Sequence, residues 1–98
     1  MCGATLGGLA LDGVDLATAT VIQGSVMRGG QPVSGAYVRL LDRAGEFTAE
    51  VPTSATGQFR FFAAPGRWTL RTLAPKTATV DVAVVASQGD AAEVLIRL

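Results

Sequence analysis

The chain contains no histidine, and with it goes the side chain most often used as a general acid or base and as a metal ligand. Ser-His-Asp and Cys-His arrangements are therefore excluded within one chain. Cys2 is the only cysteine, so there is no intrachain disulfide, and zinc sites need Cys or His in numbers this chain lacks. Asp-rich ligand spacing of the calcium-loop kind is missing too, and no metal is expected. Neither GxGxxG nor GxxxxGK[ST] occurs, so no nucleotide-phosphate loop and no cofactor are expected. No apolar run approaches the ~20 residues of a membrane helix. A secretory leader is not expected, since no Lys/Arg-led apolar stretch opens the sequence, and a lipoprotein anchor is not expected with only Met1 before Cys2. The expected location is cytoplasmic, with no membrane partner. An excess of basic charge is also lacking: eight basic and eight acidic residues cancel. Seven of the basic residues are scattered arginines, so nucleic acid, which binds through clustered Lys and Arg, is not expected as a partner.

What remains is a chain of 98 residues, 49% hydrophobic, enough for one core and too short for two. A domain of this size buries roughly 60–70% of the surface its unfolded chain exposes. Residues 1–18 are rich in Gly, Ala and Leu with little periodicity, and Gly3, Gly7, Gly8 and Gly13 would weaken any helix. They are read as a flexible or loosely docked N-terminal arm. From Thr20 onward the pattern changes, and residues 19–98 are read as one β domain. Short β-rich runs at 20–28, 36–41, 47–51, 58–62, 67–73, 77–85 and 92–98 are separated by turn signals. These include Gly29-Gly30-Gln31-Pro32, a stretch from Thr53 to Gly57, and Ser87-Gln88-Gly89-Asp90. Pro65-Gly66 suits the central pair of a type II turn.

Seven runs of alternating side chains without a helix predict an all-β sandwich. Gly24, alone inside a run, marks a bulge or a point of close packing. The alternation assigns the core to Ile22, Val26, Val38, Leu40, Phe59, Phe61, Trp68, Leu70, Val80, Val82, Val94 and Ile96.

Two features carry candidate chemistry. Arg39, Arg60 and Arg71 each sit mid-run, opposite the core residues of their own strands. If those strands are neighbours they form a basic cluster, either a solvated face interleaved with Glu50 or a patch for an anion or a partner protein. Cys2 carries the one thiol: an exposed thiolate on an arm is an accessible nucleophile, either as an incidental thiol or as an acceptor of sulfane sulfur. The carboxylates Asp42 and Glu46 flank a predicted hairpin turn, where polar residues are expected in any case. Nothing forms a recognisable catalytic constellation, and an enzyme is not expected.

The stretches VIQGSVMRGGQPVSGAYVRLLD and GQFRFFAAPGRWTLR resemble the carboxypeptidase-regulatory, prealbumin-like sandwich. The likeness runs through Gly24 and Val26, then Gly30, Pro32, Val33, Gly35, Ala36, Val38 and Leu40, then Gly57, Phe59 and Phe61, and ends in Pro65, Gly66, Trp68 and Leu70. It implies a seven-strand Greek-key sandwich and little about function, since such modules serve many ends. Over nearly the whole chain, MCGA, YVRLLDRAGEFTAEV and SATGQFRFFAAPGRWTLR are similar to a family of small actinobacterial proteins encoded beside thiosulfate sulfurtransferases. That resemblance implies an accessory or partner of a rhodanese-type sulfurtransferase in sulfur metabolism, with Cys2 in the family's Met-Cys signature. The other reading is a non-catalytic structural or protein-interaction module, self-associating into a homo-oligomer through the edge of the last strand.

Overall fold

The computed structural model describes residues 19–98; the arm predicted over 1–18, Cys2 included, lies outside them. The described residues form eight strands and no helix: β1 (Val21–Arg28), β2 (Gln31–Pro32), β3 (Tyr37–Leu41), β4 (Phe47–Pro52), β5 (Gln58–Phe62), β6 (Gly66–Leu73), β7 (Val80–Ala86) and β8 (Ala91–Arg97). Seven of these answer the seven predicted runs. The eighth, β2, is a two-residue return that pairs Met27 with Pro32 and Arg28 with Gln31. Gly29 and Gly30 make it possible: both take positive φ, 57° and 81°, as a two-residue hairpin turn of the primed kind requires.

The strands build two sheets. In the first, β1 is central, with β8 along one side and β5 and β2 along the other. The pairing of β1 with β8 is parallel, running from Val21 opposite Ala91 to Met27 opposite Arg97, and the other pairs are antiparallel. The second sheet is antiparallel, in the order β4-β3-β6-β7. The strand order is decided by the crossings: β2 to β3, β4 to β5, β5 to β6 and β7 to β8 all pass between sheets. A parallel β1–β8 pair requires such a route, because a tight hairpin joins only antiparallel neighbours.

Between the sheets lies the interior that the alternation assigned. Ile22, Val26, Phe59, Phe61 and Ile96 from the first sheet meet Val38, Leu40 and Leu70 from the second, all at 4% exposure or less. Phe59 and Phe61 are on one face of β5, their rings 6.1 Å apart and tilted by 55°, a favourable arrangement for aromatic quadrupoles. Trp68, Val80, Val82 and Val94 belong to the same packing but are only partly buried. Val80 and Val82 lie on β7 and Val94 on β8, strands at the sheet margins, so each lacks a neighbouring strand on one side. Trp68 stands near the start of β6 and donates its indole N–H to the carbonyl of Ala64 at 2.9 Å, which holds its polar edge out of the interior.

Gly24 is a point of close packing, not a bulge. The register of β1 against both neighbours runs through it without interruption. An added Cβ would lie 1.8 Å from the carbonyl oxygen of Val94 and 3.0 Å from the Phe59 ring. Pro65-Gly66, by contrast, does not form the type II turn expected. Gly66 has φ of 139°, far from the about +80° of that turn, because it already begins β6 after the chain crosses from one sheet to the other. The last long run also starts later than its alternation suggests. A turn at Pro75-Lys76, with Lys76 at φ 60°, delays β7 to Val80; it is tied to Arg28, whose guanidinium donates to the Pro75 carbonyl at 3.4 Å and to the Thr77 hydroxyl.

One buried hydroxyl latches the connection between β4 and β5 to the segment before β3. Thr53 Oγ1 donates to the Val33 carbonyl at 2.6 Å and accepts the Ala36 N–H at 3.0 Å. Thr72 is its opposite: it is fully buried, and its hydroxyl has no partner among the described residues.

Candidate functional site

Alternation along β3 and β6 puts Val38, Leu40, Leu70 and Thr72 inward, so Tyr37, Arg39, Thr69 and Arg71 face out. Register then assembles a row across the outer face of the second sheet: Glu50 opposite Arg39, Arg39 opposite Arg71, Arg71 opposite Asp81. The row reads minus, plus, plus, minus, and each arginine is held by its flanking carboxylate. Arg39 Nε lies 2.8 Å from Glu50 Oε2. Arg71 grips Asp81 with two bonds, Nε to Oδ1 at 2.9 Å and a second nitrogen to Oδ2 at 3.0 Å. The hydrogen bonds that Arg71 donates hold the Asp81 carboxyl below its ordinary 3.8, with charge attraction adding to them and desolvation opposing. The same partner raises Arg71. These pairs are exposed, and solvent screens surface pairs of this kind so that they contribute little to stability. Their consequence is to cancel two adjacent guanidinium charges that would otherwise repel.

Arg60 is not part of this row. The sequence expectation joined it to Arg39 and Arg71, but β5 belongs to the first sheet, so Arg60 faces out on the other side of the sandwich. There it donates to Gln23 Oε1 at 2.8 Å, and Gln23 in turn donates to Glu93, a line across β5, β1 and β8. Period-two alternation tells which side of its own strand a residue takes; it carries no information on which sheet the strand joins. Arg39 and Arg71 are neighbours, interleaved with the carboxylates of Glu50 and Asp81.

Apolar side chains flank the charged row. Tyr37 is 50% exposed, Phe47 61% and Val85 62%; these are three of the five large apolar side chains that stand open among the described residues. Tyr37 pairs across to Pro52 and Leu73 on one side of the row. On the other, a register shift between Leu40 and Leu41 sets Phe47 opposite Leu41 and brings its ring beneath Arg39, 5.9 Å from the guanidinium carbon, within reach of a cation–π contact. The shift could not be read from the sequence, although an aromatic residue opening a run beside a glycine turn was its one visible sign.

At the end of the face nearest the β3–β4 turn there is a cleft of about 450 Å³, lined by Arg43, Arg67, Trp68, Thr69, Ala83 and Val85. A smaller one of about 310 Å³ adjoins it, sharing Arg43, Arg67, Trp68 and Val85 and adding Asp42, Pro65 and Gly66. Asp42 is committed to its turn: Oδ1 accepts the N–H groups of Ala44 and Glu46, both at 2.9 Å, as a polar residue flanking a hairpin is expected to do. Arg43 and Arg67 were not singled out in the sequence, since neither sits mid-strand opposite core residues. Among the described residues no group of three Asp, Glu, Cys or His side chains is placed to hold a metal ion, and no helix is long and apolar enough to cross a membrane.

Fold and surface together define a small β-sandwich domain whose exposed chemistry is carried by arginine and aromatic side chains. The chain belongs to the family DUF1416, described as a protein of unknown function, which matches it over residues 2–98. It is 63% identical over 75 residues to the uncharacterized protein Rv0814c of Mycobacterium tuberculosis, covering 74% of this chain and 75% of that one. An uncharacterized protein of Mycolicibacterium smegmatis is 68% identical over 62 residues, 62% of this chain and 69% of that one. Among solved structures, the dioxygenase domain of a carbohydrate-binding fusion protein from Streptomyces sp. SirexAA-E superposes with a TM-score of 0.66 at 11% identity, covering 84% of this chain and 80% of that one. Catechol 1,2-dioxygenase from Pseudomonas arvilla C-1 gives 0.54 at 16% identity, covering 76% of this chain and 37% of that one. At such identities the likeness is one of fold alone.

Proposed function

We propose that this protein is a non-catalytic protein-interaction module of the cytoplasm that docks a rhodanese-type sulfurtransferase on the outer face of the β4-β3-β6-β7 sheet. The observation that carries the reading is the composition of that face: Tyr37 and Phe47 stand at least half exposed beside an internally neutralised pair of arginines. Aromatic and arginine side chains are what interface centres are enriched in, and unpaired charge is what they are depleted of. The choice of partner rests on the resemblance of MCGA, YVRLLDRAGEFTAEV and SATGQFRFFAAPGRWTLR to proteins encoded beside thiosulfate sulfurtransferases.

Within that reading Cys2 accepts sulfane sulfur. Its thiolate attacks the outer sulfur of the partner's cysteine persulfide, the S–S bond breaks, and the partner's thiolate leaves. The sulfur changes carrier with no net oxidation.

The test is binding of the purified sulfurtransferase to the full chain. Tyr37→Ser with Phe47→Ser is expected to weaken binding by ~10-fold or more, as loss of interface centres does, while the far-ultraviolet circular dichroism stays unchanged. Cys2→Ser is expected to bind normally and to lose the adduct of about 32 Da that marks one added sulfur. Absence of binding by the unaltered chain overturns the partnership. Failure of Cys2 to load overturns the carrier role alone.

Self-association is the second reading. The edge of β8 facing away from β1 has no partner strand among the described residues, and an open edge is a template for a second copy. Sedimentation that shows one concentration-independent monomer removes it.

A further inference from the structure

The arginines of the described surface divide into two groups. Arg39 and Arg71 are bound to carboxylates, Arg60 to Gln23, and Arg28 to the Pro75–Thr77 turn. Like Arg97 at the end of β8, Arg43 and Arg67 have neither a hydrogen-bond nor an ion-pair partner among the described residues. Both line the same cleft, one from the β3–β4 turn and one from the start of β6. The rest of that cleft is small or apolar: Thr69 and Ala83 are cross-strand partners, and Val85, opposite Arg67, is 62% exposed. Two free guanidinium groups over an apolar wall, in about 450 Å³, fall within the size and composition range of small-molecule sites.

We propose that this cleft binds small organic anions: a carboxylate or sulfonate held by Arg43 and Arg67, with a compact apolar body against Ala83 and Val85. A guanidinium fork matches the planar oxygens of a carboxylate or the paired oxygens of a sulfonate, while the apolar wall favours an organic body over a bare hydrated ion. The one carboxylate at the rim, Asp42, is occupied through Oδ1 by its own turn and leaves the cleft with a net positive charge. The inference stands apart from the docking face, because neither Tyr37 nor Phe47 lines the cleft.

The amides of Thr69, Ala83 and Val85 report on the cleft itself, and the indole N–H of Trp68, the only tryptophan in the chain, gives a single resolved signal beside it, at its bond to the Ala64 carbonyl. The full chain, labelled with 15N, is titrated with benzenesulfonate and with benzoate, and separately with neutral benzamide. Saturable shifts are expected at the Trp68 indole and at the amides of Thr69, Ala83 and Val85 with both anions. Arg43→Gln with Arg67→Gln is expected to weaken them by ~10-fold or more, equivalent to about 1.4 kcal/mol, and Tyr37→Ser with Phe47→Ser to leave them unchanged. Three results each overturn the proposal: no saturable shift at these positions, equal affinity in the double-arginine variant, or benzamide binding as tightly as benzoate.

Discussion

Gly24→Ala tests the close approach of β8 to β1. The new methyl carbon would lie 1.8 Å from the Val94 carbonyl oxygen, so that oxygen must retreat by roughly 1.5 Å to reach an ordinary C···O separation of about 3.3 Å. Val94 faces Gly24 in the β1–β8 ladder, and its carbonyl is backbone, so the retreat opens the ladder instead of rotating a side chain. The Phe59 ring, 3.0 Å away on the inner side, blocks the alternative of pushing β1 inward. Overpacking costs about 1–3 kcal/mol, and each ladder hydrogen bond lost adds about 0.5–1.5; the lower entropy of the unfolded alanine chain offsets about 0.4–1, leaving a net loss centred near ~2 kcal/mol when one bond opens. For a domain of this size that lowers the melting midpoint by roughly 8–16 °C. Urea unfolding followed by Trp68 fluorescence and by circular dichroism measures it. Gly30→Ala is the control: its φ is 81° and its surroundings are open, so it carries only the backbone penalty of about 1–2 kcal/mol. A Gly24→Ala protein within ~0.5 kcal/mol of the parent, an effect expected of an ordinary surface change, would refute the close approach of β1 and β8.

The same substitution at two buried threonines should act with opposite signs. Thr53→Val removes a donor to Val33 and strands the Ala36 N–H, at a cost of about 1–3 kcal/mol, whereas Thr72→Val removes a hydroxyl that lacks a partner and should be neutral or stabilising by about 1 kcal/mol; denaturant midpoints of the two proteins decide it. Truncation at the aromatic positions should follow burial: Phe59→Ala is expected to lose about 3–5 kcal/mol, and Trp68→Ala less, because the indole is only partly covered. Asp81 sets a pH dependence. Its folded carboxyl titrates below 3.8, so the ionised group favours the folded state above about pH 4 and that support fades as pH falls through the lower, folded value. Asp81→Asn should therefore be slightly less stable than the parent near neutrality and match it in strong acid, as thermal scans across that interval will show; a gap that widens on acidification contradicts the Arg71–Asp81 pair.

The sequence by itself determined seven of the eight strands, though not every boundary, and which side of its own strand each core residue takes. Alternation is local: Val38 and Leu40 against Tyr37 and Arg39, or Phe59 and Phe61 against Arg60, need only the geometry of one extended chain. Turn chemistry is local too, so Gly29-Gly30 and the Asp42 turn fall where composition placed the breaks, and the absence of histidine removed whole classes of catalysis before any strand was paired. Tertiary structure alone decided which strands meet. It sent Arg60 to one sheet and Arg39 with Arg71 to the other, drew β8 alongside β1 in parallel, turned Gly66 into the first residue of a strand, and gathered Arg43 and Arg67 from distant segments around one cleft. Those outcomes depend on how the connections cross between sheets, and a crossing is chosen by the burial of both faces at once, a free energy that no single stretch of the chain contains.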